Sequence, residues 1–251
     1  MQYRDTDSDW ELMAKDHPYY SVITDPKYFG PSLSDEAQKE FFQSGVLHVK
    51  GVLEIIRSHF DPRFKPNVVV DFGCGVGRVL LPFACESKKA VGVDVSETML
   101  NLARKHALEK KLSNILFLRS DEDLESLSSG YDLFHSAIVF QHIPPTRGYI
   151  LLRNLFEKLC SGGYFYLQLT FAKDRRFLDH AVRHVQVYQS SETSISIFEE
   201  SPAEGGSLIS MYDYDLNKVF LTLMSARVDN FLTHFTDHGG CYGIVLCGRK
   251  A

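Results

Sequence analysis

The residues best equipped for chemistry lie in one short run, Asp71-Phe72-Gly73-Cys74-Gly75-Val76-Gly77-Arg78. Glycine at every second position leaves the backbone bare where a ligand must approach it, and tolerates the positive φ of a tight turn. The spacing discriminates between ligands. A dinucleotide loop, GxGxxG, needs its third glycine at position 78, which is Arg78, and the phosphate-cradling GxxxxGK[ST] pattern does not occur. An acid leads the loop instead. A carboxylate at that point repels a pyrophosphate and suits an ammonium group or another positive charge. Asp94 is placed to accept hydrogen bonds from both hydroxyls of a ribose, or else is only a helix-entry residue ahead of Ser96. Asp121, in Arg119-Ser120-Asp121-Glu122-Asp123, could accept from an adenine amine or belong to a solvated acidic loop. The ligand so described is a positively charged nucleoside without a pyrophosphate, and S-adenosylmethionine meets each requirement.

Elements that converge on one crevice must hold these groups. Val68-Val69-Val70 is a short apolar run of the kind buried on both faces of a parallel sheet. Leu80, Leu81 and Ala84 continue into a helix, and Ala90-Val91-Gly92-Val93-Asp94 is a second strand. Ser96 caps a helix whose Met99, Leu102, Ala103 and His106 share one face. Asn114–Leu118 and Tyr131–Ser136 read as strands three and four. A helix through Leu151, Leu155 and Leu159 stops at Ser161-Gly162-Gly163, and Tyr164–Leu169 is strand five. This alternation predicts an α/β fold: a doubly wound, mostly parallel seven-stranded sheet with an antiparallel C-terminal strand and helices on both faces. Two strands at Val228–Phe235 and Tyr242–Cys247, around His238-Gly239-Gly240, would form a closing hairpin.

The flanks differ in character. Residues 1–33 are aromatic and interrupted by Pro18, Pro26 and Pro31, which predicts an irregular arm. Tyr19, Tyr20, Tyr28 and Phe29 either pack it onto the core or close it over a ligand. Residues 34–60 read as a helix capped by Ser34, with Gly45 as a point of interruption. The stretch 171–212 is polar, with loops expected at Ser190–Ser194 and Ser201–Gly206.

Composition narrows the classes. The 251 residues are 44% hydrophobic and 24% charged, ordinary for a globular chain, and no apolar run approaches the ~20 residues that span a bilayer. Five cysteines without a CxxC pair argue for a reducing, cytoplasmic setting and against structural zinc, so no metal is expected. His180 and His184, spaced i, i+4, lack a nearby third ligand. A net charge of −5 has the wrong sign for gripping phosphate backbones.

The combination of motifs resembles the class I S-adenosylmethionine-dependent methyltransferases over about residues 46–170 and the C-terminal strands. Asp71–Arg78 looks like that family's first motif, Val91–Ser96 through Met99-Leu100 its second, Tyr131-Asp132-Leu133 with Gln141–Pro144 its fourth-strand motif, and Leu159–Tyr164 its turn into strand five. The resemblance implies that Gly73, Cys74 and Gly75 line the methionine tail of the cofactor, that Asp71 orients the amine, and that Arg78 is a further cofactor-binding residue. It implies Asp94 at the ribose, Val95 and Met99 facing the adenine, Asp121 and Glu122 at its edge, and Ser136 beside the sulfonium. It also implies residues 1–45 as an arm or flap over the active site, a cofactor-binding domain from 46 to 251, and a substrate-shaping insertion at 171–212.

An oxygen acceptor would need a base. His142, just past the fourth strand, holds that position best; Tyr20 in the arm and His238 in the C-terminal turn are further candidates. No Pro-Cys pair and no Asn/Asp-Pro-Pro-aromatic run follows the fourth strand, which disfavours nucleic acid. The expected partner is a small-molecule acceptor, a hydroxylated metabolite or sugar, with no membrane and with the chain a monomer or homodimer. Other readings stay open: a protein or peptide acceptor, a cofactor-binding partner subunit without turnover, or an aminopropyl transferase.

Overall fold

A computed structural model describes residues 6–174, 185–191, 194–200, 211–228 and 230–251, with the backbone alone for 185–191 and 194–200. His180, His184 and the loop expected at 201–206 lie outside the described residues.

Strands β1 (Val68–Phe72), β2 (Lys89–Asp94), β3 (Ile115–Arg119), β4 (Tyr131–Ser136), β5 (Leu159–Lys173), β9 (Phe231–Asp237) and β10 (Cys241–Arg249) form a seven-stranded sheet in the order β3-β2-β1-β4-β5-β10-β9. The first five run parallel, and β10 is antiparallel to both β5 and β9. The expected sheet and its C-terminal hairpin are therefore present. Strand β9 starts three residues later than expected, Val228 being a buried core residue ahead of it, and β10 starts one residue earlier; both end two residues later. The chain leaves β1 in one direction toward β3 and returns to the other side at β4, so β1 and β4 flank the switch point where such sheets bind ligands.

Although Val68–Val70 is continuously apolar, its side chains alternate between two cores. Val69 packs with helix α2 (Asp35–His59) and helix α3 (Leu80–Glu86), and Val70 packs with helix α5 (Pro145–Lys158) and helix α6 (Leu216–Ser225) on the opposite face. Helix α4 (Glu97–Glu109) shares the α3 side through Leu100 and Ala103, with Ala90 of β2 beneath Leu100. Helix α5 ends at Lys158, three residues before the expected glycine stop; its C-cap Leu159 begins β5, and Gly162 takes a φ of +77° within the strand entry.

The N-terminal stretch is not irregular throughout. Thr6–Asp16 forms a helix, α1, with Asp7 and Asp9 in its first turn and Lys15 in its last, each complementing the helix dipole. The prolines begin only after it ends. Ser34 caps α2 as expected, accepting from the Ala37 amide, but Gly45 does not interrupt the helix. It marks the closest approach of α2 to the glycine loop: a β-carbon at 45 would lie 1.9 Å from the carbonyl oxygen of Arg78. Helix α2 thus runs unbroken across position 45, where a boundary was expected.

Part of the 171–212 stretch is regular. Strands β6 (Val185–Ser191) and β7 (Ser194–Glu200) pair antiparallel, with β8 (Met211–Tyr212) alongside β7 in a second, three-stranded sheet. The loop expected at Ser190–Ser194 is thus the end of a hairpin whose positions 192 and 193 lie outside the described residues. The Thr170 hydroxyl donates to the Tyr212 carbonyl at 2.8 Å and joins this segment to β5.

Gly45→Ala is expected to lower unfolding stability by about 1–3 kcal/mol through overpacking against Arg78; a urea titration with an unchanged midpoint would contradict that contact.

Candidate active site

The glycine loop is tied down before any ligand arrives. Gly73, Gly75 and Gly77 have φ of +76°, +51° and +88°. The amides of Gly73 and Cys74 both donate to the Val93 carbonyl, at 2.7 and 3.1 Å. At position 73 a β-carbon would stand 2.3 Å from a Val139 methyl, so glycine there lets the segment after β4 close against the loop.

Asp94 joins the loop to the next helix. Its Oδ2 accepts from the Gly75 amide at 2.8 Å and its Oδ1 from the Ser96 amide at 2.9 Å. Burial pushes this carboxyl up to about 6, assisted by the nearby Asp71 and opposed by the two amides. Cys74 is buried, and burial, Asp94 and Asp71 all push its thiol up, which makes it a packing residue rather than a nucleophile.

Asp71, at the end of β1, does not offer both oxygens to the cavity. Oδ1 lies 2.7 Å from Nδ1 of the buried His135 on β4, while Oδ2 is buried without a hydrogen-bond partner among the described residues. Arg78 is half-buried at the rim, with Nη1 donating to the Ser44 hydroxyl at 3.3 Å.

One cavity collects Asp71, Gly73, Cys74, Gly75, Arg78, Asp94, Val95, Met99 and His142. Five expected site residues do not line it. Asp121 organises its own loop, accepting from the amides of Asp123, Glu125 and Ser126; burial works against its ionisation, but these bonds hold the carboxyl below its ordinary value. Glu122 beside it is exposed, and Ser120 takes the lining position. Ser136 is fully buried; its neighbours His135 and Ala137 face the cavity. Tyr20 packs against Phe29 and His17, while Ser21 and Val22 line the wall. His238 sits exposed in the β9–β10 turn.

The far side of the cavity comes from α1, which the sequence did not predict, and from the start of α5, which it did, though not as part of the site. Helix α1 contributes Thr6, Asp7 and Trp10, and α5 contributes Arg147 and Leu151. Glu11 of α1 accepts from the Ser96 and Thr98 hydroxyls, at 2.6 and 2.5 Å, at the start of α4. Asp7 pairs with Arg147 at 2.6 Å at the start of α5. The helix is therefore fastened to both rims. Trp10 meets the His142 ring edge-on at 4.8 Å, and the Gln141 amide nitrogen stands 3.1 Å from His142 Nε2. Ile138 lines the wall between the two sides with a φ of +60°, costly for a β-branched residue, and its amide donates to Gln168 Oε1 at 2.6 Å.

Residues 69–163 match the family model of a methyltransferase domain. That segment, 95 of the 251 residues, is a methyltransferase domain. Among curated relatives, it is 29% identical over 118 residues to a ubiquinone biosynthesis O-methyltransferase of Chelativorans sp., a match covering 45% of this chain and 46% of that protein. It is 28% identical over 136 residues to the 23S rRNA (uracil(1939)-C(5))-methyltransferase RlmD of Photobacterium profundum, covering 53% and 28%. In each curated relative the matched stretch is less than half of that protein's length. The fold is shared with the S-adenosylmethionine-bound magnesium protoporphyrin IX methyltransferase ChlM of Synechocystis PCC 6803, at a TM-score of 0.63, 17% identity and full coverage of both chains. No helix among the described residues of this chain is long and apolar enough to cross a membrane.

Asp94→Ala is expected to weaken S-adenosylhomocysteine binding by about 1–3 kcal/mol, read by calorimetry. In the wild type, affinity should fall by up to about tenfold per pH unit below about 6, where the Asp94 carboxyl takes up a proton; Asp94→Asn should abolish that slope. The effect on folding has the opposite sign. The unfolded carboxyl releases its proton near 3.8 and the folded one near 6, so this residue's contribution to stability is lost as pH rises between them.

Proposed function

We propose that the protein transfers the methyl group of S-adenosylmethionine to an oxygen of a small hydroxylated molecule, a metabolite or sugar. The residues present suit the donor: a bare glycine cradle, a carboxylate placed for the ribose, and an unpartnered buried oxygen on Asp71 for an ammonium group. In this reading Val95 and Met99 flank the adenine, and Ser120 takes the edge position first expected of Asp121.

One observation carries the choice of acceptor class. Helix α1 is tied across the cavity by Glu11 and Asp7, so the acceptor side is a chamber walled by Trp10, Ile138, His142 and Arg147. Such a chamber favours a compact molecule over a polypeptide or a nucleic-acid strand. The likeness to an RNA methyltransferase covers 53% of this chain and 28% of that protein, which leaves most of the RNA enzyme without a counterpart here. Five free cysteines fit a reducing, cytoplasmic compartment.

The cofactor supplies a methyl group on a cationic sulfur that departs as a neutral thioether. The protein's work is then alignment, which is worth on the order of 7–11 kcal/mol when the reacting atoms are held in line. His142 would take the proton of the acceptor hydroxyl. Trp10 holds that ring edge-on, and the ring's Nε2, which accepts from the Gln141 amide at 3.1 Å, would have to leave that bond to receive the proton.

Purified protein given S-adenosylmethionine and a panel of phenols, sugars and hydroxy acids should form S-adenosylhomocysteine with at least one of them. Turnover confined to peptides or RNA would overturn the acceptor class. His142→Ala should lower turnover by about 10²–10⁴-fold while S-adenosylhomocysteine affinity stays within about twofold; unchanged turnover would remove His142 as the base.

A further inference from the structure

Two histidines below the cavity have no part in the transfer just described. His135 lies directly across from Asp71 in the parallel β1–β4 register and is buried. Its ring stacks on Tyr166, with centroids 5.5 Å apart and planes 14° from parallel, so it cannot swing away from the carboxylate. Behind it, Nε2 of His48 on α2 stands 2.8 Å from Nε2 of His135. His48 also meets Tyr166 edge-on at 5.6 Å, so one phenol ring braces both imidazoles.

We propose that His135, backed by His48, is a positioning residue for cofactor binding: it engages one oxygen of Asp71 and leaves Oδ2 alone to receive the ammonium group of the amino-acid tail. The inference rests on reading the cavity as an S-adenosylmethionine site.

Proton bookkeeping gives the chain a direction. A hydrogen bond between two ring nitrogens needs one proton between them. When neutral His135 donates Nδ1–H to Asp71, its Nε2 is bare, and His48 supplies the proton from its own Nε2. Burial first, then the neighbouring His135 and Arg78, push His48 down to about 3, so it stays neutral and fit for that role. Hydrogen bonds in such a chain polarise one another, strengthening the grip on Oδ1. The Asp71 carboxylate is turned one way, and its second oxygen, buried in the cavity wall, has no hydrogen-bond partner among the described residues. A simple packing role for the histidines would not account for that one unmatched oxygen facing a ligand site.

The test compares two ligands that differ in the amino-acid tail: S-adenosylhomocysteine, which has it, and 5′-methylthioadenosine, which lacks it. In His135→Leu, affinity for S-adenosylhomocysteine should fall by about tenfold or more, while affinity for 5′-methylthioadenosine holds within about twofold. His135→Asn keeps an amide donor near the Nδ1 position and should restore most of the loss. His48→Leu, at a half-buried site, should show the same split at smaller amplitude and serves as the readout if His135→Leu fails to fold by circular dichroism. Equal weakening of both ligands, or of neither, in the folded variants overturns the positioning role. If the wild type binds 5′-methylthioadenosine but gains nothing from the tail, the ammonium subsite falls and the nucleoside reading stands. If the wild type binds neither ligand, the reading of the cavity falls with it.

Discussion

A single carboxylate, Asp94, stands where three parts of the site meet. It ends β2, holds the amide of Gly75 in the glycine loop, and holds the amide of Ser96 at the start of α4. Each bond satisfies a backbone donor that would otherwise be buried without a partner, which is costly in a low-dielectric setting. The carboxylate itself is buried for the purpose, and its raised proton affinity records the cost. With the Val93 carbonyl holding the amides of Gly73 and Cys74, and Gly45 letting α2 rest on Arg78, the crevice is shaped by folding rather than by its ligand. Binding then spends little on ordering the loop.

Electrostatically the crevice is a desolvated, anionic cup. Asp71 and Asp94 sit close enough for each to raise the cost of charging the region, and Cys74 between them is held as a neutral thiol. Such a cup suits a cationic nucleoside, and an opposing pyrophosphate would add to the repulsion. On the acceptor side the balance reverses. Arg147 stands in the first turn of α5, where a cation opposes the helix dipole, and Asp7 of α1 compensates it. The N-terminal helix therefore completes the electrostatics of the wall it covers.

How much of this could be read from the chain depended on the range of the signal. The glycine loop, the buried strands and Asp94 are local patterns, and their meaning follows from spacing within a few residues. Neighbouring positions were harder. On a strand a one-residue offset changes the face, so Ser136 was expected at the cavity where His135 lies. Asp121 was expected at the ligand, but short acidic residues readily bind their own following amides, and Ser120 lines the wall instead. Helix α1 was missed because Trp10, Met13 and Ala14 make only a narrow apolar stripe, and the prolines after it dominated the reading. Its place over the cavity depends on Glu11 meeting Ser96, eighty-five positions away, which no local pattern reveals. The histidine at the end of the fourth strand, next to Ser136, was the signal available for Asp71's partner.

Ile138 carries a consequence for how this fold changes its choice of acceptor. The residue sits in an unfavourable backbone state, where its amide donates a hydrogen bond to the side-chain oxygen of Gln168, a β5 residue that does not line the cavity. The contour of the cavity wall at Ile138 is thus set in part from behind, by a β5 side chain outside the cavity. A new residue at 168 would let that backbone relax and redraw the contour with every cavity-lining side chain unaltered, so selectivity here can drift through the scaffold while the donor pocket stays as it is.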